Sequence, residues 1–216
     1  MMNGILFVAV LLLPALIPPQ GQPATASTAV AIFDGKTFDG WEGDRNIFRI
    51  QDGAVVGGTL ATKIARNEFL CTTKSYSDFE LRLKVKLLGG DKANAGVQFR
   101  TSRIPNHHEV SGYQADMGTG WWGALYDESR RNKVLQGPEQ TKMTAVVKPD
   151  EWNDYAIRAD GKRIQLWLNG VQTVDYTEDD PAVAATGVVC LQIHGGPPSE
   201  AWYKDITISE RRGHTP

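Results

Sequence analysis

Side chains able to exchange protons and bind polar ligands are concentrated between residues 94 and 131. This stretch holds two of the four histidines in the chain, two adjacent tryptophans, several carboxylates and a pair of arginines. Amides, carboxylates and guanidinium groups offer the directed donors and acceptors that sugar hydroxyls need, and exposed aromatic rings stack on the apolar faces of sugars. The segment therefore indicates a carbohydrate site, with an ordinary solvated surface as the alternative.

The candidate residues divide by the chemistry of their side chains. Groups that can move a proton or stabilise a negative charge are the catalytic candidates: His107, His108, Asp116, Glu128 and Arg100. Groups suited to holding a sugar are Gln98, Glu109, Gln114, Trp121, Trp122, Tyr126, Arg130, Arg131 and His194. For Arg130 and Arg131 the alternative is a surface ion pair with a neighbouring carboxylate, which contributes little to stability.

A divalent metal ion acting as a Lewis acid is an alternative use of part of this set. The residues that could bind it are His107, His108, Glu109, Asp116 and His194. Two adjacent histidines can reach one metal ion from a loop but not easily from a strand. The sequence assigns no cofactor, and the identity of any metal ligands stays open.

The elements that must position these groups are strands. Apolar and charged residues alternate from Phe79 to Leu87, which is typical of a strand with one face in water. Asp160-Gly161-Lys162 and Asn169-Gly170 separate further alternating runs and predict hairpin turns. About ten short strands without helical periodicity predict an all-β fold, an antiparallel β-sandwich or jelly roll; only 63–68 and 177–185 look irregular or briefly helical.

Alternation also predicts which candidates share a face. Gln98 and Arg100 should point the same way along one strand, and Gln114 and Asp116 along another. If these strands are neighbours, their polar faces form one surface. Of Trp121 and Trp122, we expect one in the core and the other in the site.

The N-terminus has the features of a secretory signal. No charged side chain precedes Asp34, and a 13-residue apolar run from Ile5 to Ile17 is shorter than the ~20 residues of a membrane-spanning helix. We predict cleavage of residues 1–26, export to the periplasm or beyond, and a mature single domain over 27–216 without stable membrane insertion. A retained anchor is the alternative, since the segment carries no Lys or Arg.

Net charge and cysteine content narrow the possible partners and metal sites of the protein. A net charge of −2 gives no basic excess, which argues against nucleic acid as a partner. Cys71 and Cys190 are too few and too far apart for a disulfide scaffold or a zinc site. In an oxidising compartment they could form one disulfide, or both could be buried free thiols. The sequence does not indicate an oligomeric state.

An ordered series of motifs resembles the 3-keto-disaccharide hydrolase family. The series comprises Ile32–Trp41 (IFDGKTFDGW), Phe79–Leu81, Asn94–Arg100 (NAGVQFR), Gly112–Asp116 (GYQAD), Trp152–Tyr155, Trp167–Val171 and Leu191–Gly195. The likeness covers about residues 31–210 and implies a concanavalin A-like sandwich. Two departures set this chain apart from the usual pattern. One is the segment from Glu200, and the other is the pair of stretches His-His-Glu and Tyr-Asp-Glu-Ser-Arg-Arg, which mark a subgroup.

The resemblance implies hydrolysis of 3-keto-glycosides or disaccharides. A ketone at C3 acidifies the hydrogen at C2, so a base can form an enolate that expels the C1 substituent before water adds. We expect His107 or His108 as the base, Arg100 beside the enolate oxygen, and Asp116 or Glu128 as orienting group or acid. A non-catalytic, lectin-like carbohydrate-binding module is the main alternative, and hydrolysis of unoxidised glycans by paired carboxylates is a third.

Overall fold

The computed structural model describes residues 28–211 and folds them into two antiparallel sheets packed face to face. One sheet, sheet A, has eight strands, and the other, sheet B, has seven. The predicted all-β antiparallel sandwich is therefore confirmed.

The strands are short and follow one another closely along the chain. Their bounds are β1 (Val30–Ala31), β2 (Trp41–Glu42), β3 (Phe48–Gln51), β4 (Ala54–Thr59), β5 (Glu68–Thr72), β6 (Phe79–Leu88), β7 (Asn94–Arg103), β8 (Val110–Gly118), β9 (Leu125–Glu128), β10 (Lys133–Gln136), β11 (Asn153–Asp160), β12 (Arg163–Leu168), β13 (Val171–Thr177), β14 (Val188–Ile193) and β15 (Ser199–Glu210). One helical turn, α1 (Gln140–Met143), lies between β10 and β11. Sheet A has the strand order β13-β12-β11-β6-β15-β4-β3, with β1 also paired to β15, and sheet B has the order β10-β9-β8-β7-β14-β5-β2. The segments 63–68 and 177–185 contain no helix.

Local sequence explains both the long strand and the hairpins. In β6 every second residue from Phe79 is buried, so the alternation places one face against the core. Strands β11, β12 and β13 form a meander, and Asn169 and Gly170 at its second turn both have positive φ, at 48° and 81°. Two such residues are what a tight hairpin turn requires, and both predicted hairpins are present.

Two buried tyrosines of sheet A donate hydrogen bonds to the backbone of sheet B. Tyr155 of β11 is buried and donates a hydrogen bond from its hydroxyl to the backbone carbonyl of Asp116, at 3.0 Å. The Tyr203 hydroxyl of β15 lies 2.5 Å from the carbonyl oxygen of Gln192 and 3.2 Å from that of Gly96. These contacts join the inner face of sheet A to the backbone of the strands that carry the polar outer face of sheet B.

The two cysteines are neighbours across β5 and β14 and form a disulfide. This bond decides between the two alternatives that the sequence leaves open. It closes a sequence separation of 119 residues, and both cysteines are fully buried.

The predicted signal segment, residues 1–26, lies outside the described residues. Within 28–211, no helix has the length and apolar character needed to cross a membrane.

Candidate functional site

The candidate site lies on the outer face of sheet B. One row of facing residues crosses five adjacent strands: Cys71, Cys190, Gln98, Gln114 and Tyr126. Because side chains alternate between faces, Asp116 and Gln192 stand on the same side as this row. The sheet therefore presents amides and a carboxylate to the solvent side while its other face packs in the core.

A cleft of about 300 Å³ opens over this face, and we call it the site cleft. Its lining residues are Lys92, Asn94, Gln114, Asp116, Trp121, Tyr126, Glu128, His194 and Gly195. Six of the residues predicted from the sequence are thus brought together from β8, β9, the turn after β8 and the end of β14. The cleft is rich in donors and acceptors and has two aromatic walls.

A chain of side-chain hydrogen bonds runs beneath the cleft. The amide of Gln98 donates to the amide oxygen of Gln114, and the amide of Gln114 donates to the Asp116 carboxyl. The glycine at position 96 leaves room for the Gln114 side chain, because a Cβ there would lie 2.5 Å from it. The chain orients Asp116 through hydrogen bonds from one side.

A second amide holds the other carboxyl. Gln192 is buried and its amide nitrogen lies 3.3 Å from Oε2 of Glu128. The amide oxygens of Gln98 and Gln192 are buried and have no hydrogen-bond partner among the described residues.

Burial changes the acidity of both carboxyls. Loss of hydration raises the pKa of Asp116 to about 8, opposed by the hydrogen bond from Gln114 and assisted by the charge of Glu128. Burial, together with the charge of Glu109, raises the pKa of Glu128 to about 7, opposed by the hydrogen bond from Gln192. Two carboxyls in one cleft that titrate near neutrality suit a general acid and a general base.

The aromatic walls are Trp121 and Tyr126. Trp121 is 42% exposed, and its ring meets that of Tyr126 edge-on at a centroid distance of 6.2 Å. Trp122 turns the other way, is half-buried, and packs against the core. The two adjacent tryptophans therefore divide as expected, with Trp121 in the cleft.

Arg100 does not lie on the face predicted for it. The pairing of β7 with β8 shifts register between Phe99 and Ser102, and Arg100 has a φ of 45°. Its buried guanidinium donates to the carbonyls of Ser77 and Gly161 and pairs with Asp78 at 2.8 Å. The expectation of a shared face with Gln98 is wrong because a bulge breaks the period of two.

Arg130 and Arg131 form ion pairs outside the site cleft. Arg130 and Arg131 both pair with the buried Asp127, and Arg131 reaches Glu178 at 2.6 Å. Tyr113 donates from its hydroxyl to the same Glu178, at 2.6 Å. This network anchors the turn after Glu128 rather than lining the site cleft.

The His-His-Glu segment lies in the loop between β7 and β8. The rings of His107 and His108 stack at a centroid distance of 4.4 Å, and Nδ1 of His108 is 3.6 Å from the Glu109 carboxylate. None of the three lines the site cleft, although the charge of Glu109 acts on Glu128. Within residues 28–211, no group of three or more His, Cys, Asp or Glu side chains is arranged to hold a metal ion.

Three residues of the cleft, Lys92, Asn94 and Gly195, were not among the sequence-based candidates. Lys92 sits in the glycine-containing turn after β6, and Asn94 begins β7. Asn94 belongs to the NAGVQFR motif and could have been selected on that basis. Lys92 carries no comparable signal, since a lysine in a turn is most often an exposed charge.

Solved structures with this fold include both hydrolase candidates and sugar-binding modules. A candidate glycosyl hydrolase from Parabacteroides distasonis ATCC 8503 has 19% identity and a TM-score of 0.64, over 84% of this chain and 93% of its own. The carbohydrate-binding module CBM66 from Bacillus subtilis has 15% identity and a TM-score of 0.62, over 79% and 96%. At these identities the likeness concerns the fold.

Sequence comparison identifies the family. No curated protein matches the chain significantly. The family model described as a 3-keto-alpha-glucoside-1,2-lyase-like domain matches residues 28–209, nearly the whole of the described chain. This match confirms the resemblance seen in the motifs, and the chain belongs to the 3-keto-alpha-glucoside-1,2-lyase-like family.

Proposed function

We propose that this protein cleaves the glycosidic bond of 3-keto-glycosides by elimination across C1 and C2, followed by addition of water. The observation that carries the proposal is the pair of carboxyls, Asp116 and Glu128, with raised pKa values in one aromatic-walled cleft. The family description supports the same chemistry. We also propose that the protein is exported after removal of residues 1–26, as the composition of that segment indicates.

The roles of the carboxyls follow from their acidity. Glu128, with the lower pKa, takes the C2 proton of the keto sugar, and the C2–H electron pair forms the enolate. The enolate re-forms the ketone as the C1–O bond breaks and its electrons leave with the oxygen. Asp116, still protonated near neutral pH, donates its proton to that oxygen. The products are an alcohol and an enone, and water then adds across the new double bond.

The developing enolate oxygen needs a positive charge or a donor near it. Lys92 and Asn94 line the same cleft and can supply both. In this scheme they take the role first considered for Arg100, and His194 at the rim binds substrate. Trp121 stacks on the sugar ring, with Tyr126 beside it.

The test compares methyl 3-keto-α-glucoside with methyl α-glucoside, with and without a chelator. We expect methanol release from the keto sugar alone, and incorporation of deuterium at C2 when the reaction runs in D₂O. Glu128→Gln should abolish release, while Asp179→Asn, the removal of an exposed carboxylate elsewhere, should leave it unchanged. Release from the unoxidised glucoside would refute the elimination mechanism, and inhibition by the chelator would assign a metal ion to the enolate.

The pH dependence gives a second test. The base must be ionised and the acid protonated, so kcat/KM should rise through about pH 7 and fall above about pH 8. The two apparent values belong to the pair, because the groups interact. A rate that does not change between pH 6 and 9 would contradict this assignment.

A non-catalytic sugar-binding module is the second candidate. The exposed ring of Trp121 favours it, as does the similarity in fold to a carbohydrate-binding module. Binding of a glycoside that is lost in Trp121→Ala, with no turnover of any keto sugar, would select this alternative.

A further inference from the structure

A second cleft of about 540 Å³ lies beside the site cleft. Apolar side chains form much of its wall: Leu87, Trp122, Met143, Val147 and Pro149. We infer that this second cleft binds the leaving group of the substrate, and that it selects apolar, ring-shaped aglycones. The inference deepens the proposed function and rests on it for the identity of the ligand.

Three of the six polar side chains in the wall of the second cleft have hydrogen-bond partners within the protein. The amide of Gln140 donates to the carbonyl of Trp122 at 3.1 Å. The hydroxyl of Thr141 donates to the Glu139 carboxylate at 2.9 Å, and that of Thr144 to the carbonyl of Thr141 at 2.8 Å. Asp91, Thr119 and Asp150 are the other polar residues of the wall, and a guest that lies on the apolar side chains gains chiefly by removing apolar surface from water.

Neighbouring residues of the same two segments line the two clefts. In the turn after β8, the backbone N–H groups of Trp121 and Trp122 both donate to the carbonyl of Gly118, at 2.9 and 3.0 Å, and the two rings line different clefts. The loop after β6 is divided in the same way, since Asp91 lines the second cleft and Lys92 the site cleft. The dividing ridge is only a few residues wide.

Gly120 lies in this dividing ridge and has no side chain that would add to its height. A Cβ at this position would have no heavy atom within 4 Å, so the space above Gly120 is open. A glycoside whose sugar lies over Asp116 and Glu128 can extend its C1 substituent across Gly120 toward Trp122.

Binding of unreactive probes tests the inference without turnover. By calorimetry, 4-nitrophenyl α-glucoside should bind about tenfold more tightly than methyl α-glucoside, from burial of the aryl ring. Trp122→Ala should remove this difference, and Trp122→Phe should keep most of it. Trp167→Ala, a half-buried tryptophan on the outer face of sheet A, is the matched control and should not change it.

A second variant guards against loss of folding, because Trp122 packs against the core. Pro149→Ser alters an exposed part of the same wall that does not belong to the core, and it should also reduce the preference for the aryl probe. Equal affinity of the two probes for the native protein, or a preference that survives both Trp122→Ala and Pro149→Ser, would overturn the inference.

Turnover separates this inference from the proposed function. If methyl 3-keto-α-glucoside is cleaved, the KM of its 4-nitrophenyl counterpart should rise about tenfold in Trp122→Ala, while that of the methyl substrate stays within about twofold. If neither keto sugar is cleaved, the proposed function fails, and the binding experiment still decides whether the second cleft takes an aryl group.

Discussion

Replacing Asp116 by Asn should stabilise the protein, and more strongly at high pH than at low pH. Asp116 is 2% exposed, and its pKa rises from 3.8 to about 8 on folding. The folded state therefore holds the proton more tightly than the unfolded state does. The stability that this group supplies at low pH is lost progressively as pH rises from about 4 to about 8.

The size of the effect follows from the shift. One pKa unit corresponds to about 1.4 kcal/mol, so the ionisation cost is about 1.6 kcal/mol at pH 5 and approaches about 5 kcal/mol at pH 8. Water entry and side-chain relaxation reduce the larger figure. We expect the stability advantage of Asp116→Asn to grow by about 2–4 kcal/mol between these two pH values. The new amide can still accept the hydrogen bond from Gln114.

Urea unfolding at pH 5 and pH 8, followed by tryptophan fluorescence, measures the effect. Asp179→Asn, the same exchange at an exposed carboxylate, controls for the loss of one negative charge. An advantage that does not change with pH would show that burial does not perturb this carboxyl. A destabilised variant at pH 8 would refute the reasoning outright.

Three further perturbations test the supports of the site. Arg131→Ala should cost about 1–3 kcal/mol in urea unfolding, because the buried Glu178 carboxylate loses its paired cation while Asp127 keeps Arg130. Reduction of the Cys71–Cys190 disulfide should lower the free energy of unfolding by about 5 kcal/mol in the chain-entropy model, measured with and without dithiothreitol. Gly96→Ala should displace Gln114 and lower kcat at least about tenfold, with the circular dichroism spectrum retained; unchanged turnover would show that the hydrogen-bond chain beneath the cleft has no role in catalysis.

The strand pattern and the shared faces were accessible to sequence reasoning. The alternation in β6 and the turn at Asn169-Gly170 depend on neighbouring residues alone, and both were predicted. The same holds for Gln114 and Asp116, which lie two residues apart on one regular strand.

The tertiary structure decided which strands are neighbours and where the alternation fails. The polar face exists because β14 lies between β7 and β5, a pairing of segments about 90 and 120 residues apart in the chain. The bulge at Arg100 and the pairing of Arg131 with Glu178 also depend on distant partners. The raised pKa values of Asp116 and Glu128 arise from burial. Burial depends on the surrounding fold and not on the residue type. Sequence alone therefore identified the polar side chains and their local spacing, whereas long-range packing determined which of them share a cleft and how acidic they are.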